Sequence, residues 1–228
     1  MQSFIHTPTP DLERSLEFYT NLGFERLEHE KLILFTDGAA FIELNPARHA
    51  RAGVRLYRDS WDSVKKELAE MTAILDKDDS LEMSDPSGVR VYLKTGAAPQ
   101  VGERKDCFSK LGKFAGLSLE TTDFVRSTQF WGKLGFNQEC GGPEQGWATY
   151  TNDDKMTVSI MLAGACPHMA YNPSLTYFNG GKNLPVIAAI REAGIPITEE
   201  ITHFNEDGIV DNVILRDPGG YGFYIFND

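Results

Sequence analysis

The sequence contains itself twice. Residues 11–24 read DLERSLEFYTNLGF and residues 123–136 read DFVRSTQFWGKLGF. Half of the positions are identical: Asp11/Asp123, Arg14/Arg126, Ser15/Ser127, Phe18/Phe130, Leu22/Leu134, Gly23/Gly135 and Phe24/Phe136. A second echo closes each copy, where DPSGVRVYLK (85–94) matches DPGGYGFYIFND (217–228). The period, roughly 100 residues, exceeds the 20–50 of solenoid units. It is the size of a small domain. A duplicated domain is therefore expected: one over 1–95, a linker over 96–113 rich in small and charged residues, and a second over 114–228. Functional residues are to be sought at equivalent positions of both copies.

The composition supports two small cores. Of the 228 residues, 41% are hydrophobic and 24% are charged, as in ordinary globular domains. The net charge of −11 opposes polyanionic partners, so neither nucleic acid nor an anionic membrane surface is expected. No apolar run approaches the roughly 18 residues of a membrane span. The start, MQSFIHTPTP, lacks the basic-then-apolar order of a secretory signal. Cys107, Cys140 and Cys166 are odd in number and widely spaced. They fit a reduced, cytoplasmic chain better than a disulfide framework.

Local patterns give each copy the same layout. Residues 3–7 and 115–121 alternate at period two, as strands do. A helix follows in each. The first is expected to open on Thr9-Pro10-Asp11, with a capping hydroxyl, proline at the first helical position and an acid in the first turn. Gly23 and Gly135 end these helices, where left-handed geometry is easy for glycine. Residues 32–36 and 39–44 flank Asp37-Gly38 as a hairpin, and Asn152-Asp153-Asp154 repeats that arrangement. Strand 53–57, a helix over about 59–71 and strands to 94 complete the first copy. Strand 174–178, a helix over about 182–193 and strands to 226 complete the second. Each copy is thus βαβββ twice, an α+β architecture. Asp85-Pro86-Ser87-Gly88 and Asp217-Pro218-Gly219-Gly220 fit type I turns feeding the last strands.

A strand, a helix with D-[LF]-x-R-S-x-x-F-[YW]-x-x-LGF, and D-P-x-G before a last strand together resemble the vicinal oxygen chelate superfamily. That group includes glyoxalase I, extradiol dioxygenases, and fosfomycin-resistance and bleomycin-binding proteins. The resemblance covers nearly the whole chain. It implies two glyoxalase-like domains, each pairing two βαβββ modules into a curved sheet around a cleft. It leaves the chemistry open, because one fold hosts many functions.

Metal-dependent members place His, Glu or Gln at up to four positions of that cleft. The resemblance maps these positions to Phe4 and Gly116, to Tyr92 and Tyr224, to Glu43 and Met161, and to Gly53 and Ser174. Of these only Glu43 suits a metal in the family manner, and one carboxylate does not hold a catalytic ion. His6 lies two residues beyond Phe4, on the same strand face. A weak divalent-metal site at His6 and Glu43 is the one alternative; otherwise His6 is a hydrogen-bonded pocket residue and no cofactor is expected. His29, His49, His168 and His203 are expected in solvent.

Alternation sorts the strands into two faces. In the first copy the cleft row is Phe4, His6, Phe41, Glu43, Arg55, Tyr57, Arg90 and Tyr92. Arginine forks and aromatic faces suit a planar or anionic ligand. Equally, Arg55 and Arg90 neutralise nearby acids, or this face packs on the other domain. In the second copy the cleft row includes Ser118, Glu120, Met161, Ser174, Thr176, Phe178 and Tyr224. Small side chains leave room for a ligand. If desolvated, Glu120 is an acid–base candidate alongside Glu43.

The reading from sequence is a glyoxalase/bleomycin-resistance-like protein that binds a small anionic or aromatic molecule without the usual metal site. The alternative is a metal-dependent glyoxalase-like lyase or isomerase, or a dioxygenase, at His6/Glu43. A monomer and a homodimer both fit, since duplicated domains can pair within one chain.

Overall fold

The computed structural model describes residues 1–77, 79–168 and 171–227. These contain four βαβββ modules. The first is β1 (Gln2–Pro8), α1 (Leu12–Asn21), β2 (Glu25–Leu27), β3 (Ile33–Thr36) and β4 (Phe41–Asn45). The second is β5 (Gly53–Arg58), α2 (Asp62–Met71), β6 (Leu75–Lys77), β7 (Ser80–Ser84) and β8 (Arg90–Thr95). The third is β9 (Lys113–Thr121), α3 (Phe124–Lys133), β10 (Asn137–Gly142), β11 (Trp147–Thr151) and β12 (Thr157–Leu162). The fourth is β13 (Ser174–Phe178), α4 (Asn183–Glu192), β14 (Ile197–Ile201), β15 (Asn212–Arg216) and β16 (Gly222–Phe226). Each sequence repeat supplies one mixed eight-stranded sheet, ordered β2-β3-β4-β1-β5-β8-β7-β6 and β10-β11-β12-β9-β13-β16-β15-β14. The fold is the α+β class expected from the duplication. Among the described residues no helix is long and apolar enough to cross a membrane.

The helix starts correct one expectation. Asp11, not Thr9, caps α1: its carboxylate accepts the Arg14 N–H. Asp123 caps α3 through the Arg126 N–H in the same way. Both threonines point inward instead. Thr9 Oγ1 lies 2.6 Å from Ser15 Oγ, and Ser127 Oγ donates to Thr121 Oγ1 at 2.8 Å. The repeated Asp thus satisfies a helix-end N–H, and the repeated Ser binds a buried threonine. Gly23 and Gly135 follow the helices at φ +88° and +91°.

The chain divides into two compact units, and each takes pieces of both repeats. Unit 1 comprises Met1–His6, Arg51–Gly102 and Leu117–Pro173; unit 2 comprises Thr7–Ala50, Glu103–Gly116 and Ser174–Asp228.

In unit 1, α2 packs on α3. Lys133 pairs with Glu67, and the Arg126 guanidinium donates to the Met71 carbonyl. Asp85, first residue of its turn, accepts the Ser87 and Val89 N–H groups through Oδ1, each at 2.9 Å. Its Oδ2 accepts the Trp131 indole N–H at 3.1 Å. Asn152, in the turn between β11 and β12, donates to Ser3 Oγ at 2.8 Å.

Unit 2 repeats the plan. Asp217 Oδ1 accepts the Tyr221 N–H at 2.7 Å, while Oδ2 accepts the Thr7 and Tyr19 hydroxyls at 2.7 and 2.9 Å. Asp37 Oδ1 holds its own turn through the Ala39 and Ala40 N–H groups. Its Oδ2 accepts the Tyr177 hydroxyl at 2.8 Å. Each turn residue therefore uses one end of its side chain locally and the other to bind the opposite repeat. Tyr19 and Trp131 occupy the same position of the repeated helix motif, so the two motifs recognised in sequence meet across repeats.

Candidate functional site

The face of unit 1 formed by β1, β5 and β8 carries most of the first-copy candidates. Strand pairing sets Phe4, Arg55 and Tyr92 in one row and His6, Gly53 and Arg90 in the next. Phe4, His6, Arg55, Tyr57 and Tyr92 are all buried, and Arg90 is half-buried. The Phe4 and Tyr57 rings meet edge-on at 5.6 Å. His6 Nδ1 lies 2.9 Å from the Arg51 carbonyl oxygen, so Nδ1 carries the proton and donates. The Tyr92 hydroxyl accepts the Arg51 N–H at 3.1 Å, its ring lies 4.3 Å from that of His6, and the Arg55 guanidinium stands 5.5 Å from the Tyr92 ring centre.

Burial first, and the Arg55 charge second, push the His6 pKa down to about 3. The imidazole is neutral at ordinary pH. Unfolded histidine titrates near 6.5, so between about pH 6.5 and 3 the unfolded chain binds a proton that folded His6 refuses. Stability from this group therefore falls as pH drops through that window, by up to about 1.4 kcal/mol per pH unit. His6→Gln is expected to flatten this part of a pH–stability curve measured by urea denaturation. An unchanged slope would assign the loss to another group.

Two of the positions that the resemblance assigns to metal ligands are glycines whose backbone resists a side chain. At Gly53 an added Cβ would stand 1.8 Å from the Arg90 carbonyl oxygen. In unit 2, Gly116 holds φ +126°, a conformation that side chains resist. Glu43 is buried on β4 and Tyr224 on β16. Among the described residues no three His, Cys, Asp or Glu side chains gather as a metal would need. His29, His49 and His203 are exposed, whereas His168 is half-buried.

The second sheet is more open. In unit 1, pairing of β11, β12 and β9 sets Trp147, Met161 and Glu120 in one row and Thr149, Ser159 and Ser118 in the next. Trp147 is 41% exposed, Met161 and Glu120 are half-buried, and Ser118 is buried. A depression of about 500 Å³ opens here, walled by Trp147, Met161, Leu162 and Ala163. Leu162 alternates in step with the buried Val158 and Ile160 of the same strand, yet it is 41% exposed. It is the last residue of β12, where the chain leaves the sheet, and its side chain covers Gly146.

Beside this depression Glu120 Oε2 takes a long contact, 3.5 Å, from the Gly164 N–H. Oε1 is buried with no hydrogen-bond partner among the described residues. Asn172 fixes the Glu120 backbone, accepting its N–H and donating to its carbonyl, each at 3.1 Å. Neither Trp147 nor Leu162 is among the site residues expected from sequence, although Trp147 stands in strand register with Met161.

In unit 2, Ser174, Thr176 and Tyr224 are buried and Phe178 is 37% exposed. The Phe226 ring lies 6.3 Å from Phe178 and 5.5 Å from Tyr224, which makes an aromatic strip.

No protein-family model and no curated protein sequence matches the chain. Solved structures do. The 2,3-dioxygenase LapB from Pseudomonas sp. KL28 superposes with TM-score 0.58 at 12% identity, covering 100% of this chain and 92% of that one. Homoprotocatechuate 2,3-dioxygenase from Arthrobacter globiformis gives 0.57 at 16% identity, covering 99% and 78%. The Mn(II)-bound glyoxalase from Novosphingobium aromaticivorans gives 0.56 at 16%, covering 97% and 79%. Identities this low speak for backbone and not for chemistry. The likeness shows that this chain shares the fold of these dioxygenases and of the glyoxalase.

Proposed function

We propose that this is a tandem two-domain glyoxalase-like protein, divided as the sequence repeats divide it, that binds a small aromatic molecule without a metal. The observation that carries this is the depression at Trp147, Met161 and Leu162 beside the buried, unpartnered Oε1 of Glu120. A half-exposed indole offers stacking area. A buried carboxylate oxygen without a donor is costly, and a ligand hydroxyl or amine relieves that cost. Ser118 and Ser159 line the adjoining row. The ligand class is thus a planar aromatic bearing a hydrogen-bond donor. Burial first, and the Arg55 charge second, keep a proton off His6, and both oppose a cation at that imidazole.

Trp61 and Trp131 are 2% and 0% exposed, so a ligand-dependent change in tryptophan emission reports on Trp147. Titration with 2-naphthol and with its methyl ether is expected to show saturable quenching, with the naphthol binding more tightly. Trp147→Ala, followed by calorimetry, should weaken both by about tenfold, the scale of one stacking contact. Glu120→Ala should erase the difference between them. Absence of saturable binding, or affinities untouched by both substitutions, would refute the site.

A further inference from the structure

The motif arginine behaves differently in the two copies. In unit 1, Arg126 is spent on structure, its guanidinium donating to the carbonyl of Met71, the last residue of α2. In unit 2, the equivalent Arg14 is exposed, and its guanidinium has no hydrogen-bond or ion-pair partner among the described residues. It lines a depression of about 590 Å³ with Arg216, Phe18, Ile195, Pro196 and the Asp217–Gly220 turn. Arg216 precedes the turn Asp; the matching residue of the first copy is Ser84. One copy thus uses the corner to tie helix to helix. The other leaves it open and adds a second guanidinium.

The geometry points to a binding site in this depression for a small organic oxyanion, a carboxylate or a phosphate ester, held between Arg14 and Arg216 with its apolar part against Phe18, Ile195 and Pro196. The volume lies within the roughly 300–1,000 Å³ of small-molecule sites. Guanidinium forks match carboxylate and phosphate oxygens in bidentate fashion. Two guanidinium groups lining one depression concentrate positive charge in a chain whose net charge is −11. Glu17 also lines the depression. It repels an anion and sets a preference for ligands whose charge is at one end. This site is separate from the Trp147 depression and does not rest on the binding role proposed there.

The test is a heteronuclear NMR titration of the full chain with phenyl phosphate, with benzoate, and with inorganic phosphate as the headgroup alone. Saturable shifts of the Gly194, Gly219 and Gly220 amides are expected with at least one phenyl probe, more weakly with inorganic phosphate. The tighter of phenyl phosphate and benzoate assigns the headgroup. Arg14→Gln and Arg216→Gln should each weaken binding at least tenfold, and Glu17→Gln should tighten it. Arg126→Gln and Trp147→Ala should leave it unchanged. Because Arg14 is an exposed helix residue, Arg14→Gln tests the charge without threatening the fold. No saturable shift at these amides with any probe, or wild-type affinity in the Arg14→Gln/Arg216→Gln double variant, would overturn the site.

Discussion

Asp217→Ala is expected to lower stability by about 3–5 kcal/mol, because it leaves several buried donors unpaired at about 1–3 kcal/mol each. Those donors are the Thr7 and Tyr19 hydroxyls and the Tyr221 N–H. Asp217→Asn should cost far less. Its amide oxygen still accepts the Tyr221 N–H, and both hydroxyls can rotate to accept from the amide nitrogen. Tyr19→Phe removes one hydrogen bond and should cost about 1 kcal/mol. Burial raises the Asp217 carboxyl above the usual carboxylate range, against the pull of the Thr7, Tyr221 and Tyr19 hydrogen bonds. Folded Asp217 therefore holds its proton to a higher pH than the unfolded chain does. Its contribution to stability falls as pH rises from about 3.9 through the raised value, and Asp217→Asn should lack that fall. Urea denaturation of the three variants decides the matter. An Asp217→Ala protein within 1 kcal/mol of wild type would show that the turn does not fasten α1.

The second large effect is at Gly53. It pairs with Arg90 in the parallel ladder of β5 and β8. A Cβ there would lie 1.8 Å from the Arg90 carbonyl oxygen and 2.7 Å from its carbon. Both neighbours are backbone, so the strands must part and ladder hydrogen bonds must break. Gly53→Ala is expected to cost about 3 kcal/mol or more, at the upper end of overpacking effects. Gly219→Ala, whose Cβ would stand 1.9 Å from the Pro8 carbonyl oxygen, should be comparable. Gly88→Ala is the control: nothing lies within 4 Å of its Cβ, and its φ of +90° alone should cost about 1 kcal/mol. If thermal melts rank Gly88→Ala as the worst of the three, the close approach at β5 is wrong. The same clash bears on function, since grafting a histidine at 53 should break the sheet before it creates a metal ligand.

The modules were legible in the sequence because they are local. Alternation at 3–7, the helical stripe after Asp11 and glycine at 23 and 135 each report on a few neighbouring residues. The interleaving of the repeats was not legible, because period and spacing say which face a residue shows and not which partner meets it. Nothing near Asp217 in the chain points to Tyr19, or near Asp85 to Trp131. The helix cap was misplaced for a related reason. Thr9 and Asp11 are both good caps, and the inward turn of Thr9 depends on Ser15. Equivalent positions also diverged without warning: Arg14 and Arg126 are identical in sequence, yet only Arg126 is held by a helix end. Alternation put the site candidates on shared strand faces. It did not show that Arg55 and His6 would be buried while Trp147 stays open.

The most direct test of the metal-free account is the metal content of purified, tag-free protein after incubation with manganese, ferrous iron, zinc and nickel and removal of unbound ions. The account expects far less than one ion per chain for each metal, with naphthol binding unchanged by a chelator. Near-stoichiometric metal that is lost in the His6→Ala and Glu43→Ala variants would contradict it.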